Sequence, residues 1–163
     1  MKPIVQEMEA IHDAKDKIVI SCDASITQNP GGAASYGCVI RFPGESPLSY
    51  SGNTPAATNN EAELDAIYQG VRGYAGLHLH SATGIKTIDI RSDSRICIDL
   101  LSGKKKTEIP RLKHKVECIL EQVKAVTTIT GKNIKFTWRR RNSTADLEKA
   151  NNAAQDVLGV KNH

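Results

Sequence analysis

Aromatic side chains are scarce in this chain, only 4% of its 163 residues. That scarcity argues against a stacking platform for single-stranded nucleic acid, which needs rings beneath successive bases. The four cysteines, Cys22, Cys38, Cys97 and Cys118, lie too far apart for a zinc knuckle or a redox pair. Cys38 and Cys97 sit inside apolar runs, the usual place of small buried hydrophobes in a reducing compartment. No apolar stretch approaches the roughly 20 residues of a membrane span. The segment from Met1 to Lys17 is broken by Glu7, Glu9, Asp13 and Asp16, so it lacks the apolar core of a secretory signal. A cytoplasmic protein with no membrane association is expected. No internal repeat or low-complexity segment occurs.

What remains is an ordinary globular composition, 39% hydrophobic and 25% charged, at a length typical of one domain. The net charge of +4 conceals an asymmetry. From Leu101 to Arg141 there are 12 Lys or Arg against 3 Asp or Glu, while the remainder carries a net negative charge. A basic segment beside an acidic remainder suits a phosphate-binding face next to a cation-binding carboxylate cluster, although a solvated helix face would look the same.

Pattern and punctuation give the elements. In residues 1–16, Ile4, Met8 and Ile11 share one helical stripe, and this extension precedes a single domain over residues 17–160. Strands are expected at Lys17–Ser25, Ala34–Phe42 and Leu48–Gly52, separated by the turns Gln28-Asn-Pro-Gly-Gly32 and Pro43-Gly44. At Thr58 the period becomes helical, with a helix over Asn60–Ala75. A strand at Ile85–Ser92, a short helix at Ser94–Leu101, a helix opened by Pro110, a strand at Asn133–Trp138 and a last helix at Thr144–Leu158 complete the chain. The order implies an α/β fold: a five-stranded mixed sheet flanked by helices, with a three-stranded antiparallel meander and two parallel strands. If every helix after the meander runs against the first strand, the first, fourth and fifth strands end at one edge, where helices also begin.

Four acids are then expected at that edge. Asp23 ends the apolar run Ile18-Val-Ile, Asp93 follows the fourth strand, Glu63 lies in the first turn of its helix and Asp146 in the first turn of the last. Taken singly, each has a plain structural role as a cap, loop or first-turn acid. Together they would raise one another's pKa unless a cation answered them. Oxygen ligands without His or Cys suit Mg²⁺ or Mn²⁺, and two such ions form the usual clamp for phosphodiester cleavage.

The motifs Asp23-Ala-Ser, Asn29-Pro-Gly-Gly, Tyr36-Gly37, Thr58-Asn-Asn-Glu-Ala-Glu63-Leu64, Ser92-Asp93-Ser94 and Asn142-Ser-Thr-Ala-Asp146, with Ala150 and Ala153-Ala154, occur in this order. In them the chain resembles the ribonuclease H family of type I. The resemblance implies an endonuclease that hydrolyses the RNA strand of RNA–DNA hybrids with two Mg²⁺ ions, leaving 5′-phosphate and 3′-hydroxyl ends. It implies that Asp23, Glu63, Asp93 and Asp146 hold the metals. It further implies that Asn29, Asn59 and Asn60 touch the hybrid's minor groove, that Thr58 helps hold a DNA phosphate, and that Ser94 joins the substrate-binding set. Short polar side chains on tight turns suit the reading of 2′-hydroxyls. Asn59 and Asn60 serve equally well as helix caps.

The chain departs from the family pattern in three places. Trp138-Arg-Arg-Arg-Asn142 lacks the His that many members carry before the last helix; His12, His78, His80, His114 and His163 lie elsewhere. Arg139, Arg140 or Arg141 is expected to meet the scissile phosphate instead. Lys104-Lys-Lys106 leads almost directly into the Pro110 helix, so the basic handle of some relatives is missing, and Arg111, Lys113 and Lys115 would give a smaller electrostatic footprint. Ala24 follows Asp23 where Gly is commoner. A monomer with no obligate protein partner is expected. The rival readings are a catalytically silent hybrid-binding module and a DNA-cleaving nuclease of the same fold.

Overall fold

Alternation along the first strand, β1 (Ile18–Ile26), divides the molecule in two. Ile18, Ile20 and Cys22 point to one face of the sheet, and Val19, Ser21 and Asp23 to the other. The computed structural model describes residues 2–159, with side chains from Ile4 onward. His163 and the expected domain limit at residue 160 lie outside the described residues.

β1 pairs antiparallel with β2 (Ala34–Arg41), which pairs antiparallel with β3 (Leu48–Thr54). On its other side β1 pairs parallel with β4 (Thr87–Ser92), and β4 pairs parallel with β5 (Asn133–Trp138). The order β3-β2-β1-β4-β5 is the five-stranded mixed sheet expected from the sequence.

One face is covered by α2 (Asn59–Leu77), α3 (Arg95–Ser102) and α4 (Pro110–Thr130). Ile18, Ile20, Ile40, Ile88 and Ile90 meet Leu64, Ile67, Val71, Leu112 and Ile119 in one buried apolar cluster. Helix α2 comes close because Gly70 has no side chain: a Cβ there would stand 2.8 Å from Cys22 Sγ and 2.9 Å from an Ile20 methyl.

The other face carries α1 (Lys2–Asp13) and α5 (Ala145–Leu158). Charge is buried here. Arg41 and Asp146 form a two-pronged ion pair at 2.8 and 2.7 Å, and Arg91 pairs with Asp89 at 2.9 Å and with Asp13 at 2.5 Å. Helix α1 docks through its charged side, Glu7 on Arg41 and Asp13 on Arg91. Its apolar stripe faces outward, with Ile4, Met8 and Ile11 between 52% and 65% exposed. The ion pairs, not apolar burial, decide which side of α1 turns in.

Helix α5 runs in the direction opposite to the one expected from the sequence. Asp146 meets Arg41, whose register partner is Val19 near the start of β1. Ala150 lies against Gly37, the partner of Asp23, and the Ala154 carbonyl accepts from the hydroxyl of Ser35, the partner of Ser25. The helix therefore climbs toward the edge where β1 ends instead of starting there. Residues 139–144, passing from β5 to α5, bring the chain back along the sheet before α5 begins.

Candidate active site

At the edge of the sheet where β1 ends, the two layers meet. Asp23 projects from β1, Asp93 follows β4, and Glu63 stands in the second turn of α2. Each offers an oxygen within 4.8 Å of the other two. Helix α2 is fixed at its start by Thr58, whose hydroxyl accepts the Glu61 N–H at 3.2 Å and donates to the Glu61 carboxylate at 2.9 Å. The Asn60 carbonyl takes a weak bond from Cys97 Sγ at 3.6 Å, which ties the start of α2 to α3. Ser94 caps α3 by accepting the Cys97 N–H at 3.2 Å. The Trp138 indole N–H donates to the Asp93 carbonyl at 3.0 Å, and Arg95 lies 4.0 Å over the same ring.

Asp23 is buried, and both its oxygens are held. One accepts the Ala24 N–H at 2.8 Å and the other the Asn151 amide at 2.7 Å. Burial first, and the nearby Asp93 charge second, push its pKa up to about 6 in spite of those bonds. Glu63 is raised well above the usual carboxylate range by burial, by the Asp23 charge and by a hydrogen bond with Asp93. Asp23 and Glu63, which hold protons tightly, make with Asp93 a donor set short of positive charge. Hard divalent cations fit it, because oxygen-only donors at this separation match Mg²⁺ or Mn²⁺.

The expected fourth acid does not join them. Asp146 lies on the Arg41 pair described above, beside β1's beginning, four residues and about 13 Å of strand from Asp23. Asn151, which the sequence reading passed over, is the α5 residue that reaches the cluster. A signal for it existed. Ala150 and Ala154 mark the side of α5 that lies close to the sheet, and Asn151 is one step round the helix from Ala150.

The cleft over the acids has a volume of about 260 Å³, and Asn59, Asn60, Ser94 and Arg141 line it with them. Asn29 stands beside this group, its side-chain oxygen accepting the Asn59 N–H at 3.1 Å. Of the three consecutive arginines only Arg141 lines the cleft. The Arg139 backbone N–H donates to the Ser92 carbonyl at 3.0 Å, and its side chain lines a separate cavity of about 240 Å³ with Arg91 and Asp146. Arg140 is exposed and accepts the Ser143 N–H through its carbonyl at 3.1 Å. On α4, Lys115 is engaged by Asp65 at 2.6 Å and Arg111 stands 3.6 Å from Glu61, so part of the expected basic footprint is neutralised within the fold.

The family model for RNase H matches residues 15–161. Among solved structures, the chain is similar to RNase H1 of the halophilic archaeon Halobacterium salinarum, at 26% identity and a TM-score of 0.71, over 88% of this chain and 98% of that one. It is also similar to LC11-RNase H1, isolated from compost, at 25% identity and a TM-score of 0.67, over 88% and 99%. The N-terminal RNase H domain of a Mycobacterium tuberculosis protein, solved as a fusion with maltose-binding protein, matches at 25% identity and a TM-score of 0.66, over 88% and 96%. LC11-RNase H1 has also been solved in complex with an RNA/DNA hybrid. No curated protein matches the chain. Among the described residues, no helix is long and apolar enough to cross a membrane.

Proposed function

The chain belongs to the RNase H family, type I, and from that premise we propose that it is an endonuclease that hydrolyses the RNA strand of RNA–DNA hybrids. Two divalent cations, Mg²⁺ with Mn²⁺ as substitute, would be held by Asp23, Glu63 and Asp93, and the products would carry 5′-phosphate and 3′-hydroxyl ends. The observation that carries this reading is the convergence of three carboxylates from β1, α2 and the end of β4 in one polar cleft. Bound there, the cations supply the charge that activates a water and stabilises the departing oxygen.

The chain's own residues prepare that event. Asp23, gripped by Ala24 and Asn151, cannot swing away from the cleft. Glu63 must release the proton its surroundings favour before its oxygens can bind a cation, which couples occupancy to pH. Arg141 stands where a charge can hold the scissile phosphate. Asn29, Asn59 and Asn60 form a patch of short amides suited to 2′-hydroxyls in a shallow minor groove, and Ser94 and Thr58 flank it. The domain works as a monomer, with α1 as an appended brace.

The test is an end-labelled substrate panel of hybrid, double-stranded RNA and double-stranded DNA, with Mg²⁺, Mn²⁺ or chelator. Cleavage confined to the RNA strand of the hybrid, abolished by chelator and reduced at least about a thousandfold in Asp23→Asn, is expected. Cleavage of DNA, or an active Asp23→Asn, overturns the reading.

A further inference from the structure

Asp146 and Asn151 share one helix and are both buried, yet they serve opposite ends of the β1 strand. Five residues along an α-helix turn the side chain by about 140° and advance it about 7.5 Å, so the two cannot face one target together. The structure decides between them. Asp146 is enclosed by Arg41 at 2.7 and 2.8 Å. Asn151, only 2% exposed, donates its amide to Asp23 at 2.7 Å.

The phase of α5 is locked. Gly37 lets the helix backbone so near that a Cβ at that position would stand 2.0 Å from the Ala150 carbonyl oxygen and 2.9 Å from the Ala154 nitrogen. The Ser35 hydroxyl donates to the Ala154 carbonyl at 2.5 Å, one turn further along. Turning Asp146 toward Asp23 would break both contacts and leave Arg41 with only its half-exposed partner Glu7.

We propose that Asn151, not Asp146, is the α5 residue of the cation site: its amide orients Asp23, and it occupies the corner from which α5 could otherwise supply a fourth carboxylate. An ionised carboxylate only accepts hydrogen bonds, so the amide nitrogen must face Asp23, and Asn151 acts as a positioning residue. The site thus gathers cations with three negative charges instead of four. This inference rests on the reading of Asp23, Glu63 and Asp93 as cation ligands.

Calorimetric titration of Mn²⁺ into the full chain, without nucleic acid, tests it. Asn151→Asp adds a charge beside Asp23 and is expected to bind Mn²⁺ about tenfold more tightly. Asn151→Ala frees Asp23 and is expected to bind about tenfold more weakly. Asp146→Asn is expected to keep the wild-type affinity within about twofold while melting at a lower temperature, because the Arg41 charge loses its buried partner. A tenfold loss in Asp146→Asn, or wild-type affinity in both Asn151 variants, overturns the proposal. If Asn151→Asp does not fold, Asn151→Ala and Asp146→Asn decide it. Asp23→Asn separates the two levels: unchanged Mn²⁺ binding there defeats the cation reading itself, whereas lost binding there with inert Asn151 variants defeats only the role of Asn151.

Discussion

The two faces of the sheet are held by different physics. Under α2, α3 and α4 the contact is apolar, chiefly Ile from the strands against Leu, Ile and Val from the helices. Under α1 and α5 it is built from Arg41 with Asp146, Arg91 with Asp89 and Asp13, the hydroxyl of Ser35 and the small residues Ala150 and Ala154. Apolar burial is non-directional and tolerates small shifts, whereas a buried ion pair fails when one partner moves. The face that must hold Asp23 to a fixed geometry is the directional one. The candidate site lies where the two layers end together, taking Asp23 from the polar side and Glu63 from α2 on the apolar side.

Substitutions should separate the two regimes. The largest effect is expected at Gly37→Val, where the added carbons collide with the α5 backbone: a loss above about 4 kcal/mol in chemical denaturation, or failure to fold. Arg41→Ala strands the buried Asp146 carboxylate and should cost about 3–5 kcal/mol, whereas Arg41→Met combined with Asp146→Leu should restore most of that loss. A double variant as unstable as the single one would mean that the polar face is not interchangeable with packing. On the apolar face, Leu64→Ala should cost about 3 kcal/mol through the cavity it leaves, and no second substitution at a charged position should rescue it.

A pH series on the cation-free chain gives a smaller effect with a defined sign. Asp23 holds its proton up to about pH 6 when folded, against about 3.9 when unfolded. The folded state therefore binds the extra proton between those values. Stability is full below about pH 4 and falls as pH rises through 6, by about 3 kcal/mol. Asp23→Asn should flatten that slope; a wild-type slope in the variant would place its source elsewhere. Smallest of all, Thr144→Ala removes the hydroxyl that accepts the Leu147 N–H at the start of α5, and should lower stability by about 1 kcal/mol.

How legible each face was in the sequence follows from the same contrast. Runs such as Ile18-Val-Ile and the helical spacing of Leu64, Ile67 and Val71 announce burial without reference to distant residues, and they lead to the correct five strands and their relative directions. Thr58 and Asp93 are likewise marked by local punctuation. The pairing of Arg41 with Asp146 spans 105 positions, and no local pattern shows that an arginine at a strand end will be buried by an acid on the last helix. Without that pair, Asp146 in the first turn of α5 looks identical to a site acid, and the outward turn of Ile4, Met8 and Ile11 on α1 is equally hidden.

The account is tested most directly by diffraction from crystals soaked in Mn²⁺, read through the metal's anomalous scattering. Peaks coordinated by Asp23, Glu63 and Asp93, with metal–oxygen distances of about 2.1 Å, are predicted. Crystals that show Mn²⁺ bound through Asp146, or that leave the three-acid cluster without a peak while the same protein cleaves hybrid in solution, would contradict it.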